Sequence, residues 1–218
     1  MNKKIINTIL LVFISGLASA GAQTAEVITE KADAIFTLNK QLYQKSSMTI
    51  TRGGKEQPVQ IMDSYYMKED GVSKSLTIFI EPMRVKGTAY LTIGDDLWVK
   101  FASTGRIRKM SSSAKKNSAG GSDFSYSDMG EGNEGFGVKY SSSLDGSENV
   151  NGEQCYRIIL TPRKKGDEVY EKAVAYITED DFRYIKLELY ENGAHIKTMS
   201  FTDYKPLKNT KYPYTVRM

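Results

Sequence analysis

The sequence is poor in the residues that most chemistry needs: one cysteine, one histidine and one tryptophan in 218 positions. A single thiol, Cys155, excludes an internal disulfide. It sits beside Tyr156 and Ile158 and reads as a buried packing residue. One imidazole and one buried thiol cannot build a zinc site, so neither metal nor cofactor is expected. The lone His195 follows the Asn192-Gly193 turn signal and reads as a solvated side chain. A G-x-S-x-G elbow is missing as well. The acidic pairs Asp95-Asp96 and Asp180-Asp181 fall in turns, where Asp is favoured for backbone reasons. With no converging set of catalytic groups, the chain is not expected to be an enzyme.

Charge of one sign is also scarce. Lys and Arg number 30 against 26 Asp and Glu. Setting aside Lys3 and Lys4 of the extreme N-terminus leaves 28 against 26. No tract is strongly basic, which argues against nucleic acid as the main partner.

Long apolar runs are missing beyond the first residues. Ile5 to Leu17 is apolar except for Asn7, Thr8, Ser15 and Gly16, and Ala18-Ser19-Ala20-Gly21-Ala22 follows. That run is too short to cross a bilayer core of about 30 Å comfortably. With Lys3 and Lys4 before it, the layout predicts a signal peptide over residues 1–22, cleaved after Ala20 or Ala22. No Cys stands after that site to carry a lipid. The remaining residues, 23–218, suffice for one domain with a single core, expected to be a monomer.

What the sequence does have is period. From Thr24 to Tyr43 the spacing is helical: Ile28, Ala32, Ile35 and Leu42 form a stripe, widened by Val27, Phe36 and Leu38. After that the period is two. Met48–Thr51, Val59–Met62, Tyr65–Met67, Leu76–Ile80, Ala89–Ile93, Leu97–Phe101 and Arg106–Met110 read as strands. So do the segments 137–144, 154–162, 169–178, 184–191, 195–204 and 212–218, punctuated by Asp145-Gly146, Asn151-Gly152 and Asn192-Gly193. With the shortest neighbouring segments taken together, this predicts about eleven antiparallel strands, which curl toward an incomplete barrel. Residues 111–137 break the rhythm. They are rich in Ser and Gly, with room for one or two helical turns capped by Ser122 or Asp123. A loop that long suggests a lid.

Three stretches carry a resemblance. The first begins at Leu76, LTIFIEPMRVKGTAYLTIGD. The second runs from Asp96 to Tyr126, with Trp98, the basic strand RIRKM and the loop GGSDFSY. The third is QCYRIILTP, 154–162, echoed by KTMSFTDYK and the terminal YPYTVRM. The chain resembles the outer-membrane lipoprotein-sorting protein family with a LolA/LolB-like fold. The resemblance implies a mainly β fold: an incomplete antiparallel barrel with an N-terminal helix and a lid over an apolar cavity. It also implies a periplasmic carrier of lipid or lipoprotein acyl chains, acting toward the outer membrane, with an inner-membrane transporter as a further partner. The alternative it leaves open is a non-catalytic adaptor or sensor subunit of an RND-type transporter or an envelope regulatory system.

An acyl chain needs only apolar lining, at about 0.8 kcal/mol for each buried methylene. The residues expected to line the cavity or lid are Ile78, Ile80, Leu91, Trp98, Phe101, Met110, Phe124, Tyr126 and Met129. Phe124 and Tyr126 stand out, because two aromatics in a Gly/Ser-rich loop need something to hold. Arg106, Arg108 and Lys109 form a basic segment, read as a patch for anionic headgroups or an acidic partner, or as a charge-guarded edge strand.

Overall fold

The computed structural model describes residues 23–35, 41–131, 135–164, 166, 168–208 and 210–218. The expected signal segment lies outside the described residues, as do Phe36 and Leu38 of the expected helix.

Helix α1 spans Ala25–Asp33. The Thr24 hydroxyl accepts from the Val27 N–H at 3.3 Å, with Glu26 in the first turn and Lys31 in the last. The cap satisfies an orphan donor, and the charges suit the helix dipole. Ile28, Ala32 and Ile35 are buried, as the stripe predicts, but Val27 stays 39% exposed. The helix is also shorter than the spacing predicts. Gln41–Met48 form strand β1 instead, pairing with β4 (Gln60–Glu69) from Gln41 opposite Met67 to Met48 opposite Gln60. A continuous ladder outweighs the weak helical signal of Gln41-Leu42-Tyr43.

Between these two strands, β2 (Thr51–Arg52) and β3 (Lys55–Glu56) make a small hairpin about Gly53-Gly54. Strands β5 (Val72–Glu81), β6 (Ala89–Ile93), β7 (Asp96–Lys100) and β8 (Ile107–Lys109) follow as a meander. Helices α2 (Ser112–Lys115), α3 (Tyr126–Glu131) and α4 (Phe136–Lys139) occupy the irregular insertion. A second meander completes the chain: β9 (Tyr140–Val150), β10 (Glu153–Pro162), β11 (Lys172–Thr178), β12 (Tyr184–Glu191), β13 (Ala194–Leu207) and β14 (Thr210–Arg217).

One six-stranded sheet has the order β1-β4-β5-β6-β7-β8, and the other β14-β13-β12-β11-β10-β9. All pairings are antiparallel, and neither sheet closes on itself. The fold is mainly β, an incomplete barrel with an N-terminal helix. The described residues hold fourteen strands rather than about eleven. Part of the difference is β1, taken from the expected helix, and the short β2–β3 hairpin. Val59–Met62 and Tyr65–Met67, read as two strands, merge into β4. Asp145-Gly146 is not a turn. Strand β9 runs through it as a bulge, where its register with β10 shifts between Arg157 and Ile158. Asn151-Gly152 and Asn192-Gly193 do make two-residue hairpin turns, all four residues at positive φ.

Three apolar clusters follow from the strand alternation. On the inner face of the second sheet, Ile158, Leu160, Ile177, Tyr184, Leu187 and Phe201 pack with Ile28 and Ala32 of α1. On the first sheet, Phe79, Tyr90, Leu97 and Val99 pack under the insertion. The third covers the far face of the second sheet around Cys155, Val174 and Tyr176. Lys186 lies 4.1 Å from the Tyr176 ring centroid and roofs that cluster. Cys155 is fully buried, and burial pushes its thiol up to about 11. In the folded protein at pH 8 it should therefore resist a disulfide reagent for hours, and react within minutes once unfolded. Rapid labelling of the native protein would contradict this placement.

Candidate functional site: a lidded cavity between the sheets

The two sheets and the insertion, α4 included, flank a cavity of about 990 Å³ that is open to solvent on one side, past the exposed Gln44, Ser47, Thr51 and Tyr65. Its first wall is strand residues of the first sheet: Ser46 and Met48 of β1, Met62 and Ser64 of β4, Ser75 and Thr77 of β5. The Ser64 and Thr77 hydroxyls lie 2.9 Å apart. The second wall is apolar and aromatic, with Val169, Leu189, Met199 and Phe201, and the edge strand β14 contributes Tyr212 to Arg217. Phe124 and Met129 of the insertion close the top. The cavity is thus two-natured, with a hydroxyl-bearing wall facing an apolar one.

The insertion is fastened to both walls. Helix α3 begins with a reciprocal cap at Ser125, not at Ser122 or Asp123. The Asp128 N–H donates to Ser125 Oγ at 3.1 Å, and the Ser125 N–H donates to Asp128 Oδ2 at 2.7 Å. The same carboxylate oxygen accepts from the Tyr170 hydroxyl at 2.8 Å, which ties the lid to the second sheet. Burial and the neighbouring Asp128 push the Tyr170 phenol up, so it remains a hydrogen-bond donor at any ordinary pH. Lys197 Nζ adds a bond to the Asp123 carbonyl at 2.6 Å.

Toward the first sheet, the Tyr126 ring meets Tyr90 edge-on at 5.4 Å, and Tyr90 meets Phe79 in the same way at 5.4 Å. Arg52 Nη2 donates to the Gly121 carbonyl at 2.8 Å, and Gln60 Nε2 to the Gly120 carbonyl at 3.2 Å. Gly120 has φ +62°, and a Cβ there would stand 3.2 Å from Gln60 Oε1, so the approach requires glycine.

A second fastening sits at the base. Asp33, at the end of α1, is buried among three donors: Phe136 N–H at 3.0 Å, Gly137 N–H at 2.7 Å and the Tyr184 hydroxyl at 2.7 Å. Burial pushes its carboxyl above the usual range, against the pull of those donors. Helix α1, the start of α4 and strand β12 meet at this one carboxylate. Gly135 lies so close that a Cβ would be 2.6 Å from Asp33 Cγ.

Of the residues singled out from the sequence, Phe124 and Met129 line the cavity. Phe101, Met110 and Tyr126 pack on the cluster beneath the lid. Ile78, Ile80, Leu91 and Trp98 do not join them. Successive strand residues point to opposite faces, and Phe79, Tyr90, Leu97 and Val99 occupy the inner one. Those four therefore stand on the outer face, where Leu91 is 37% exposed. Sequence reading missed Ser46, Ser64, Ser75 and Thr77, whose signal was small polar residues alternating with the large ones. Arg106 and Arg108 are exposed, while Lys109 pairs with Asp96 at 2.7 Å and covers Trp98. His195 is exposed, its Nε2 lying 3.0 Å from Thr198 Oγ1.

A family model described as "Uncharacterized protein" matches residues 71–218, two thirds of the chain. Among solved structures, a DUF1329 family protein from Desulfovibrio piger superposes with a TM-score of 0.77 at 25% identity, over 90% of this chain and 87% of that one. A putative outer membrane lipoprotein-sorting protein domain from Vibrio parahaemolyticus gives 0.72 at 25% identity, over 86% and 84%. The chain belongs to this LolA-like family. A LolA superfamily protein from Nitrosomonas europaea shares the fold, with a TM-score of 0.74 at 23% identity over 89% of this chain and 84% of that one. No curated protein matches the sequence. Among the described residues, no helix of this LolA-like chain is long and apolar enough to cross a membrane.

Proposed function

We propose that the chain is a non-catalytic periplasmic carrier, which takes lipid or lipoprotein acyl chains into its cavity for transfer toward the outer membrane. Residues 1–22 direct export and are removed, and residues 23–218 act as one monomeric domain without a cofactor. The observation that supports this reading is the partly open space of about 990 Å³ between the sheets, bordered by a fastened insertion. It lies at the upper end of the range, about 300–1,000 Å³, in which proteins enclose small ligands.

The division of the walls fits an amphiphile. Methylenes laid against Leu189, Met199, Phe201 and Phe124 gain about 0.8 kcal/mol each. The ester or carbonyl oxygens of such a ligand would meet the hydroxyls of Ser46, Ser64 and Thr77. The likeness to the lipoprotein-sorting protein domain from Vibrio parahaemolyticus supports the same class of cargo.

Native mass spectrometry of protein purified from its own envelope tests this directly. Bound lipid or acylated protein is the expected result, and a consistently empty cavity would count against the carrier. Phe124→Ala should weaken the binding of a fluorescent fatty acid about fivefold. Its folding stability should fall by no more than about 2 kcal/mol, because Phe124 is half-buried where it packs on the Phe79 cluster. Tyr126→Ala is the poorer probe, because it also removes the edge-on contact with Tyr90.

A further inference from the structure

The two most exposed large hydrophobic side chains among the described residues are Met83, at 82%, and Ile107, at 67%. Both stand at one end of the first sheet. The register places Met48 opposite Gln60, Ile61 opposite Glu81, Ala89 opposite Lys100, and Lys100 opposite Ile107. The β2–β3 hairpin, the turn after Glu81 and the turn after Lys100 therefore share that end.

Charge concentrates there too. Residues 81–88 and 100–108 hold five cations, Arg84, Lys86, Lys100, Arg106 and Arg108, against one acid, Glu81. All five are exposed, and among the described residues none has a carboxylate partner. Several lysines elsewhere are matched: Lys74 pairs with Glu69, Lys109 with Asp96, Lys186 with Glu188 and Lys211 with Asp181. A chain of nearly balanced charge thus gathers five unmatched cations around its two most prominent apolar tips.

We propose that this end of the first sheet is a docking surface for an anionic lipid bilayer. The five cations answer the diffuse negative potential of a headgroup layer, where each contributes independently and falls off within a Debye length. Met83 and Ile107, projecting beside them, enter the boundary between headgroups and acyl chains. A folded acidic partner fits less well, because the cations are spread over two separate turns and the strand ends beside them, and none lines the cavity. The cavity reaches Ile50 and Thr51 at the same end, so docking sets its contents beside the membrane. The inference does not depend on what fills the cavity.

The test is sedimentation with vesicles, using the chain from residue 23 onward. Phosphatidylcholine vesicles with 30% phosphatidylglycerol should bind the protein, and pure phosphatidylcholine vesicles should not. Arg84→Gln, Arg106→Gln and Arg108→Gln combined should lower binding about a hundredfold, and 0.5 M NaCl should do the same. Met83→Asp should weaken it separately. All these side chains are exposed, so circular dichroism should report an unchanged fold. Fatty-acid uptake in solution should also survive the triple substitution, which keeps this result apart from the carrier reading. Equal binding to neutral vesicles, unchanged binding of the triple variant, or capture of polyglutamate with no binding to anionic vesicles would each overturn the proposal.

Discussion

Replacing Asp33 with alanine should cost about 4 kcal/mol of folding stability, and lower the melting temperature by about 10 °C. The argument rests on what is left behind. Two backbone N–H groups, of Phe136 and Gly137, and the Tyr184 hydroxyl all aim at this carboxylate, and all would lose their acceptor inside the protein. Each buried donor left unmade costs about 1–3 kcal/mol, and the total is a large fraction of the usual 5–15 kcal/mol.

Asp33→Asn separates charge from contact. Its amide keeps one acceptor oxygen but turns an NH₂ toward a donor, so the loss should be smaller yet clear. The pH dependence has a definite sign. Burial raises the folded-state pKa of Asp33 above 3.8, so between that value and the raised one the native state holds more proton than the unfolded chain. Stability owed to this group is greatest below pH 3.8 and falls as pH rises toward the folded pKa. The difference between wild type and Asp33→Asn in urea titrations should therefore shrink across that window and level off above it. A difference that grows with pH would mean that the three donors, rather than burial, set the pKa.

This fastening was largely hidden in the sequence. Asp33 is one acid at the end of a helix, and its partners lie more than a hundred residues away. Local patterns carried other features well. Helical spacing from Thr24 marks the start of α1, Asn151-Gly152 and Asn192-Gly193 mark tight hairpins, and period two marks most strands. The helix was read too long because Leu42 falls on the stripe of Ile28 and Ala32 by arithmetic alone. Pairing with β4 decided its fate, and that pairing is not local. Asp145-Gly146 looked like a turn for the same reason, since a bulge and a turn ask for the same residues.

The cavity wall shows a subtler limit. Alternation tells which residues share a face, but not which face is inside. On β5, Ile78 and Ile80 are larger and more apolar than Ser75 and Thr77, so size pointed to them. Phe79 and Tyr90 settle the matter by packing under the lid, which carries Ser75 and Thr77 inward with them.

The consequence of that inversion can be measured with two substitutions of opposite expected effect. Ser64→Trp places an indole in the cavity from the hydroxyl-bearing wall, and should reduce uptake of a fluorescent fatty acid more than tenfold. Ser64 is only half-buried and faces open space, so the cost in stability should stay within about 1–3 kcal/mol. Leu91→Trp enlarges a residue on the outer face of the same sheet and should leave uptake within twofold. Thermal melts of both variants control for misfolding. The reverse pattern, with Leu91→Trp blocking uptake and Ser64→Trp sparing it, would move the ligand to the outer face, where the larger side chains of the sequence first pointed. Loss in neither would detach ligand binding from this sheet. The predicted pattern would tie it to the space between the sheets, with the lid carrying Phe124 as its cover and the Ser/Thr wall as the polar side of an amphiphile's berth.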